Sequence, residues 1–378
     1  MNVVTWKASF AAVIVTLLTA GLLSFPDHGL NAARLGMDMW WKTVFPSLLP
    51  FFILTELLLG LGVVAFFGAL TEKIMRVLFR LPGPAGVAWI LSLASGYPTG
   101  ARLAARLRND KMISQIEAER LVAFAHSSNP LFILGAVASG FLQNPGFGFL
   151  LAAAHYSAAF FVGITMRFYG SQTPVSETKS TGAVQSFLLA RKEDGRAFGT
   201  LIADAVISSV QTLMLVGGFI IFFSVITELL KINGVFAAVS FLLSKAGMAP
   251  SLTAPLVSGL IELTAGTKQA SGMSGSSEVI LMTISFILAF SGFSVHAQVV
   301  SILSKTDIRY TPFFAARVLH SIYAVLITFL LTSNNPAASP VSVSAISPEN
   351  GMTMTVLCLA LSSILLVFQY KNSRHKRN

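Results

Sequence analysis

Charge is what this 378-residue chain has least of. Only 11% of its residues are Asp, Glu, Lys or Arg, against about 25% in an ordinary soluble domain. With 54% hydrophobic residues, that scarcity excludes a soluble globular protein. Cysteine is almost absent. Cys358 is alone, so no intrachain disulfide and no Cys-based metal site can form. Paired catalytic carboxylates, Ser-His-Asp spacing and HExxH are missing as well, which argues against an intramembrane enzyme, and nothing calls for a cofactor. The charge that is present is lopsided, at 26 Lys and Arg against 16 Asp and Glu. In so apolar a chain the excess marks cytoplasmic loops rather than nucleic-acid binding.

What the chain has in abundance is long apolar runs. They predict an all-α polytopic membrane protein, with the lipid bilayer as its main partner. Spans are expected near 5–25, 43–68, 118–140, 147–169, 206–230, 279–303, 313–333 and 353–370. That makes about eight transmembrane helices, the first a retained helix rather than a signal peptide. Residues 71–110 and 233–275 are apolar only in limbs of about ten to twelve residues, too short to span, and read as re-entrant hairpins. The basic tail from Lys371 and the polar linker 170–198, with Lys179, Arg191, Lys192 and Arg196, belong inside. The stretches 143–146 and 334–352 lack Lys and Arg and belong outside. The other loops alternate if both hairpins enter and leave on one side, with Arg34 and Lys42 in the first outer loop the only discordant charges, and both termini are then cytoplasmic.

The linker divides the chain, and the halves resemble each other. Shifted by 166 residues, Pro84 meets Pro250, Ser92 meets Ser258, Gly100 meets Gly266, Arg102 meets Lys268, Ala123-Phe124 meets Ala289-Phe290 and Ser128 meets Ser294. Upstream the offset grows by six, and TELL at Thr55–Leu58 meets TELL at Thr227–Leu230. The expected organisation is an N-terminal helix and outer loop (1–42), a first repeat (43–169), the linker (170–198), a second repeat (199–303) and a C-terminal helix pair with the tail (304–378). The two repeats run in opposite senses, the pattern of a secondary transporter with a midplane binding site.

The chemistry concentrates where helices must break. Ser95-Gly96-Tyr97-Pro98-Thr99-Gly100 forms the first hairpin tip, freeing backbone groups that membrane depth tolerates only inside protein or at a water-filled cavity. A helix beginning near Gly100 presents open N–H donors, with Arg102 in its first turn, which suits an anion. His126, Ser127, Ser128, Asn129 and Pro130 break the next span, since proline removes an amide donor. The second half offers Glu262, Thr264, Gly266, Thr267 and Lys268 at its tip, and Ser294, His296 and Gln298 in its broken span. Two tips and two broken helices would converge on one centre, with Arg102 and Lys268 holding a small anionic substrate. Glu262 and His126 are candidate coupling-ion or proton sites, an intramembrane carboxylate being functional by default. Plainer roles stay open: close helix packing for Gly96 and Gly100, snorkelling for the two cations, an interfacial position for Tyr97, and a satisfied core for His126 and His296.

At LASGYPTGARLAA (93–105), AHSSNPLF (125–132) and ELTAGTKQAS (262–271), the sequence resembles the sporulation integral membrane protein YlbJ family, of the nucleoside-recognition or gate group. The resemblance covers roughly residues 35–330. It implies a fold like that of the concentrative nucleoside transporters, with paired hairpins and broken helices. It also implies transport of dipicolinate from the mother cell across the outer forespore membrane, needed for the spore cortex. The residues themselves leave open a nucleoside or nucleobase transporter, a non-transporting scaffold for spore assembly, and a homo-oligomer.

Overall fold

The computed structural model describes residues 3–176 and 182–333. The expected span 353–370, the outer stretch 334–352, Cys358 and the basic tail lie outside the described residues. Among those described, all regular structure is helical. The order is α1 (Val3–Ser24), α2 (Pro26–Met39), α3 (Phe45–Gly60), α4 (Val63–Phe79), α5 (Gly83–Ser95), α6 (Thr99–Asn109), α7 (Gln115–Ala125) and α8 (Gly146–Met166). Then come α9 (Ala183–Asp194), α10 (Phe198–Ile232), α11 (Val235–Lys245), α12 (Pro250–Ile261), α13 (Leu263–Ser271), α14 (Ser277–Phe290), α15 (Gly292–Leu303) and α16 (Tyr310–Ser333). Short π-helical segments cover Trp40–Val44 and Leu131–Phe141. Four stretches are long and apolar enough to cross a membrane, Gly146–Met166, Phe198–Ile232, Ser277–Leu303 and Tyr310–Ser333, and two bent pairs raise the number to six.

Several expected elements are corrected. The run 43–68 is not one rod, because the chain turns by 82° between Gly60 and Val63. The first outer loop is largely helix: α2 leaves α1 at 104° and packs along α10. Residues 71–79 belong to α4, so the first hairpin is α5–α6 alone. Residues 235–245 form the separate α11, so the second hairpin is α12–α13. The span expected at 118–140 is α7, an extended break at 126–129, and the π-helical segment from Leu131. The linker carries α9, which packs on α4. Arg120, in α7, is buried and donates to the carbonyls of Arg80, Tyr169 and Gly170.

Local chemistry explains the boundaries. Pro84 and Pro250 lie in the first turns of α5 and α12, where a missing N–H costs nothing. Ser114 and Glu117 close a capping box on α7. Gly96 ends α5 at φ 78°, a backbone conformation open to glycine. The breaks fall in register with the sequence repeat. Ser95 and Ile261, the last residues of α5 and α12, are 166 positions apart, and Ala125 and Phe290, which end α7 and α14, are within one residue of the same spacing. The core between these elements is close-packed, with the rings of Phe79 and Phe124 stacked at 4.7 Å.

Ion pairs tie the chain at the end where α6 finishes and α16 starts. Arg108 donates to both carboxylate oxygens of Asp307 at 2.9 and 2.7 Å and holds that carboxyl below its ordinary range. The buried Glu119 accepts from Arg309 Nε at 2.8 Å and from the Tyr169 hydroxyl at 2.7 Å.

Helix α13 lies against α12 through Gly266, whose hypothetical Cβ would overlap the backbone of Gly259. Gly266→Ala should therefore destabilise the fold by about 1–3 kcal/mol. Gly218→Ala, exposed on α10 with open space around it, should be neutral or stabilising. Thermal unfolding in detergent distinguishes the pair; equal midpoints would contradict the packing at Gly266.

Candidate functional site at the meeting of two hairpins and two broken spans

A small cavity of about 70 Å³ lies where the α5–α6 and α12–α13 hairpins meet the breaks at 126–130 and Ser291. Its lining is organised by the repeat. Tyr97 faces Leu263 as its 166-residue counterpart, Ser128 faces Ser294, Asn129 faces Val295 and Phe132 faces Gln298. With the larger upstream offset of 172, Val44 matches Val216 and Leu48 matches Ile220. Glu262 and Thr264 complete the wall, opposite the repeat positions of Gly96 and Pro98. The cavity is thus lined from both halves, largely by residues that the sequence offsets pair. Its unlike pairs, those of Tyr97, Asn129, Gln298 and Glu262, break the symmetry.

Of the residues expected from sequence, Tyr97, Ser128, Asn129, Glu262, Thr264, Ser294 and Gln298 line this cavity. Tyr97 commits its hydroxyl to the carbonyl of Leu288 at 2.8 Å and contributes its ring. Asn129 Oδ1 caps the π-helical segment by accepting from Phe132 N at 2.6 Å. Others are framework. Ser95 shares a hydrogen bond with Thr55 at 3.0 Å. Gly100 packs on the Ala125 carbonyl. Pro98 precedes α6, and Pro130 opens the π-helical segment. Thr267 donates to the Leu263 carbonyl at 2.7 Å. Thr99 and Ser127 are buried with no hydrogen-bond partner for their hydroxyls among the described residues.

Three expectations are corrected. Arg102 and Lys268 do not meet at the centre. Arg102 lines a vestibule at one end with Arg106, Asp110 and Lys305, whereas Lys268 lines a separate cleft with Asp38, Lys42, Glu228 and Lys231. Each stands on a return limb beyond its tip, so the repeat carries them to different clefts. Arg102 is also already engaged, pairing with Glu56 at 3.1 Å, donating to Thr212 at 2.9 Å and lying 5.1 Å from the centre of the Phe52 ring. The second correction is Glu262. Its carboxylate caps α13, accepting from Thr264 N at 3.0 Å and Ala265 N at 2.7 Å, so it takes the place an external anion would occupy at that helix end. The third is His296, which faces away from the cavity and bonds the Tyr310 hydroxyl at 2.7 Å and the Phe290 carbonyl at 3.0 Å. His126 also stays outside the cavity, its ring 4.6 Å from that of Tyr97.

Arg317, unexpected from the sequence, is the hub behind the cavity. It is fully buried on α16. It donates to the His126 carbonyl at 2.6 Å, to Ala289 at 3.4 Å and to Ala123, which are carbonyls at the C-terminal ends of α7 and α14. Those are the ends where helix dipoles and unpaired carbonyls call for a cation. Arg317 also donates to His320 Nδ1 at 2.9 Å. His320 therefore carries its proton on Nε2, which donates to the His155 carbonyl at 2.9 Å. His155 Nε2 in turn accepts from Ser128 N at 3.0 Å. His155 thus meets Ser128 through its ring and His320 through its backbone carbonyl, which places the cavity wall beside the Arg317 cluster without a continuous hydrogen-bond chain. The sequence did carry a signal: a charged residue inside the apolar run of α16, three positions before a histidine.

Arg317→Met would leave three carbonyls without a donor. The loss should be at least about 2 kcal/mol, with Arg317→Lys intermediate because an ammonium cannot span the same fork. A wild-type unfolding midpoint for Arg317→Met would contradict the hub.

A family model described as "Gate: Nucleoside recognition" matches residues 41–181. Among curated proteins, the chain is 46% identical over 345 residues to the sporulation integral membrane protein YlbJ of Bacillus subtilis (strain 168), covering 88% of this chain and 84% of that one. No solved structure matches the chain.

Proposed function

Since the chain belongs to the sporulation integral membrane protein YlbJ family, we propose that it moves dipicolinate from the mother cell across the outer forespore membrane. The observation that supports this most is the cavity lined from both halves. It is bounded by both tips and both breaks, the arrangement through which two-repeat transporters expose one site alternately to each side. Dipicolinate is planar, aromatic and two-fold symmetric. Tyr97 and Phe132 offer ring faces to it. The amides of Asn129 and Gln298 offer polar contacts from opposite halves. Arg317 supplies positive potential from behind, all its polar partners among the described residues being carbonyls and a histidine. In this account the two repeats are inverted, about eight spans cross the bilayer, both termini are cytoplasmic, and the chain is a transporter rather than an enzyme.

One observation favours a second reading. The cavity wall carries amides, hydroxyls and the Glu262 carboxylate but no cation, a composition that suits a neutral nucleoside, in keeping with the nucleoside-recognition model over 41–181. Flux through vesicles holding the purified chain separates the two. Saturable movement of labelled dipicolinate, undisturbed by excess uridine, is expected. Movement of uridine without dipicolinate would replace the first reading by the second.

A further inference from the structure

The vestibule at Arg102 differs in charge from the cleft at Lys268. Arg102, Arg106 and Lys305 line the vestibule with Asp110, and Glu56 pairs with the two arginines from outside its lining, which leaves an excess of positive charge. In the other cleft Lys42, Lys231 and Lys268 are matched by Asp38, Glu228 and Glu262. The vestibule, at about 460 Å³, is smaller than the cleft at Lys268, at about 810 Å³, so charge and not size sets it apart. Its arginines share one carboxylate: Glu56 pairs with Arg102 and with Arg106, each at 3.1 Å. A guanidinium offers five donors, and Arg102 Nε has no hydrogen-bond partner among the described residues. Thr212 already stands within reach of Arg102 at 2.9 Å.

Building on the dipicolinate reading, we propose that this vestibule is a second, entry site for the substrate's carboxylates, and that Glu56 occupies its arginines when no substrate is present. An arriving carboxylate has the chemistry of Glu56 itself, so it exchanges for Glu56 on the two guanidiniums without leaving a buried cation unpaired. Lys305 adds attraction at the mouth, and the low-dielectric walls of the vestibule concentrate the field there. The opposite cleft, with balanced charge, does not enrich anions. Entry is thus favoured from the end that carries the arginines, which the excess of Lys and Arg assigns to the cytoplasm.

The test is the half-saturating concentration of dipicolinate for entry from the vestibule side, measured with the full chain in vesicles. Glu56→Gln removes the internal competitor and should lower it by about tenfold, and Arg106→Gln should raise it by about tenfold. Lys305→Gln, an exposed change with little risk to folding, should raise it roughly threefold and flatten its dependence on ionic strength. Values for all three variants within about twofold of wild type would overturn the entry site. Wild-type vesicles that move no dipicolinate would overturn the functional reading instead. In that case binding of benzene-1,3-dicarboxylate to the purified chain still reads the vestibule: tighter binding by Glu56→Gln supports it, and equal binding overturns it.

Discussion

One guanidinium in an apolar interior holds both halves of the molecule to their shape. Breaking a membrane span frees carbonyls, and lipid offers them no water. Two helical runs are broken, at 126–130 and at Ser291, and Arg317 donates to the free helix ends of both. A third helix, α16, thereby fixes the two breaks against each other, packing on α7, α8 and α14. The breaks become a stable feature of the fold, and a cavity opens at their meeting. Without such a donor the cheaper solution is to close the helices and lose the cavity.

The repeat then dictates what surrounds that centre. Identical or similar pairs, Ser128 with Ser294, Val44 with Val216 and Leu48 with Ile220, give it a symmetric frame. Unlike pairs give it direction. Glu262 caps its own helix where the first half has Gly96 and no side-chain cap. The same asymmetry extends outward. Glu56 and Glu228 are counterparts, as are Arg102 and Lys268, yet Glu56 is locked between two arginines while Glu228 meets His28 at 3.3 Å. The clefts at Arg102 and at Lys268 therefore differ in charge although those two residues are paired by the sequence offset.

How much of this was legible in the sequence follows from the range of each interaction. The breaks at Gly96–Pro98 and Asn129–Pro130 were visible because proline and glycine act on their own backbone, and the offset of 166 placed their counterparts. The bend after Gly60 was hidden inside a continuous apolar run, since a change of direction leaves hydropathy untouched. The α2 helix was hidden because its polar residues read as a loop. The largest error was to let Arg102 and Lys268 share a ligand. Their partners, Glu56 and Thr212 for Arg102, lie 46 and 110 positions away, and no local pattern reports such pairings. Arg317 was overlooked for the opposite reason: it stands in plain view within α16, but its partners are backbone carbonyls, which every residue has.

The central claim is that one solute occupies the space between the two breaks. In a Cys358→Ala background, single Ser128→Cys and Ser294→Cys variants place a thiol on each half of the cavity. Dipicolinate should slow the reaction of both thiols with a small maleimide, at the same half-protecting concentration. Protection of one thiol alone, or of neither while transport persists, would contradict a site shared by the two halves.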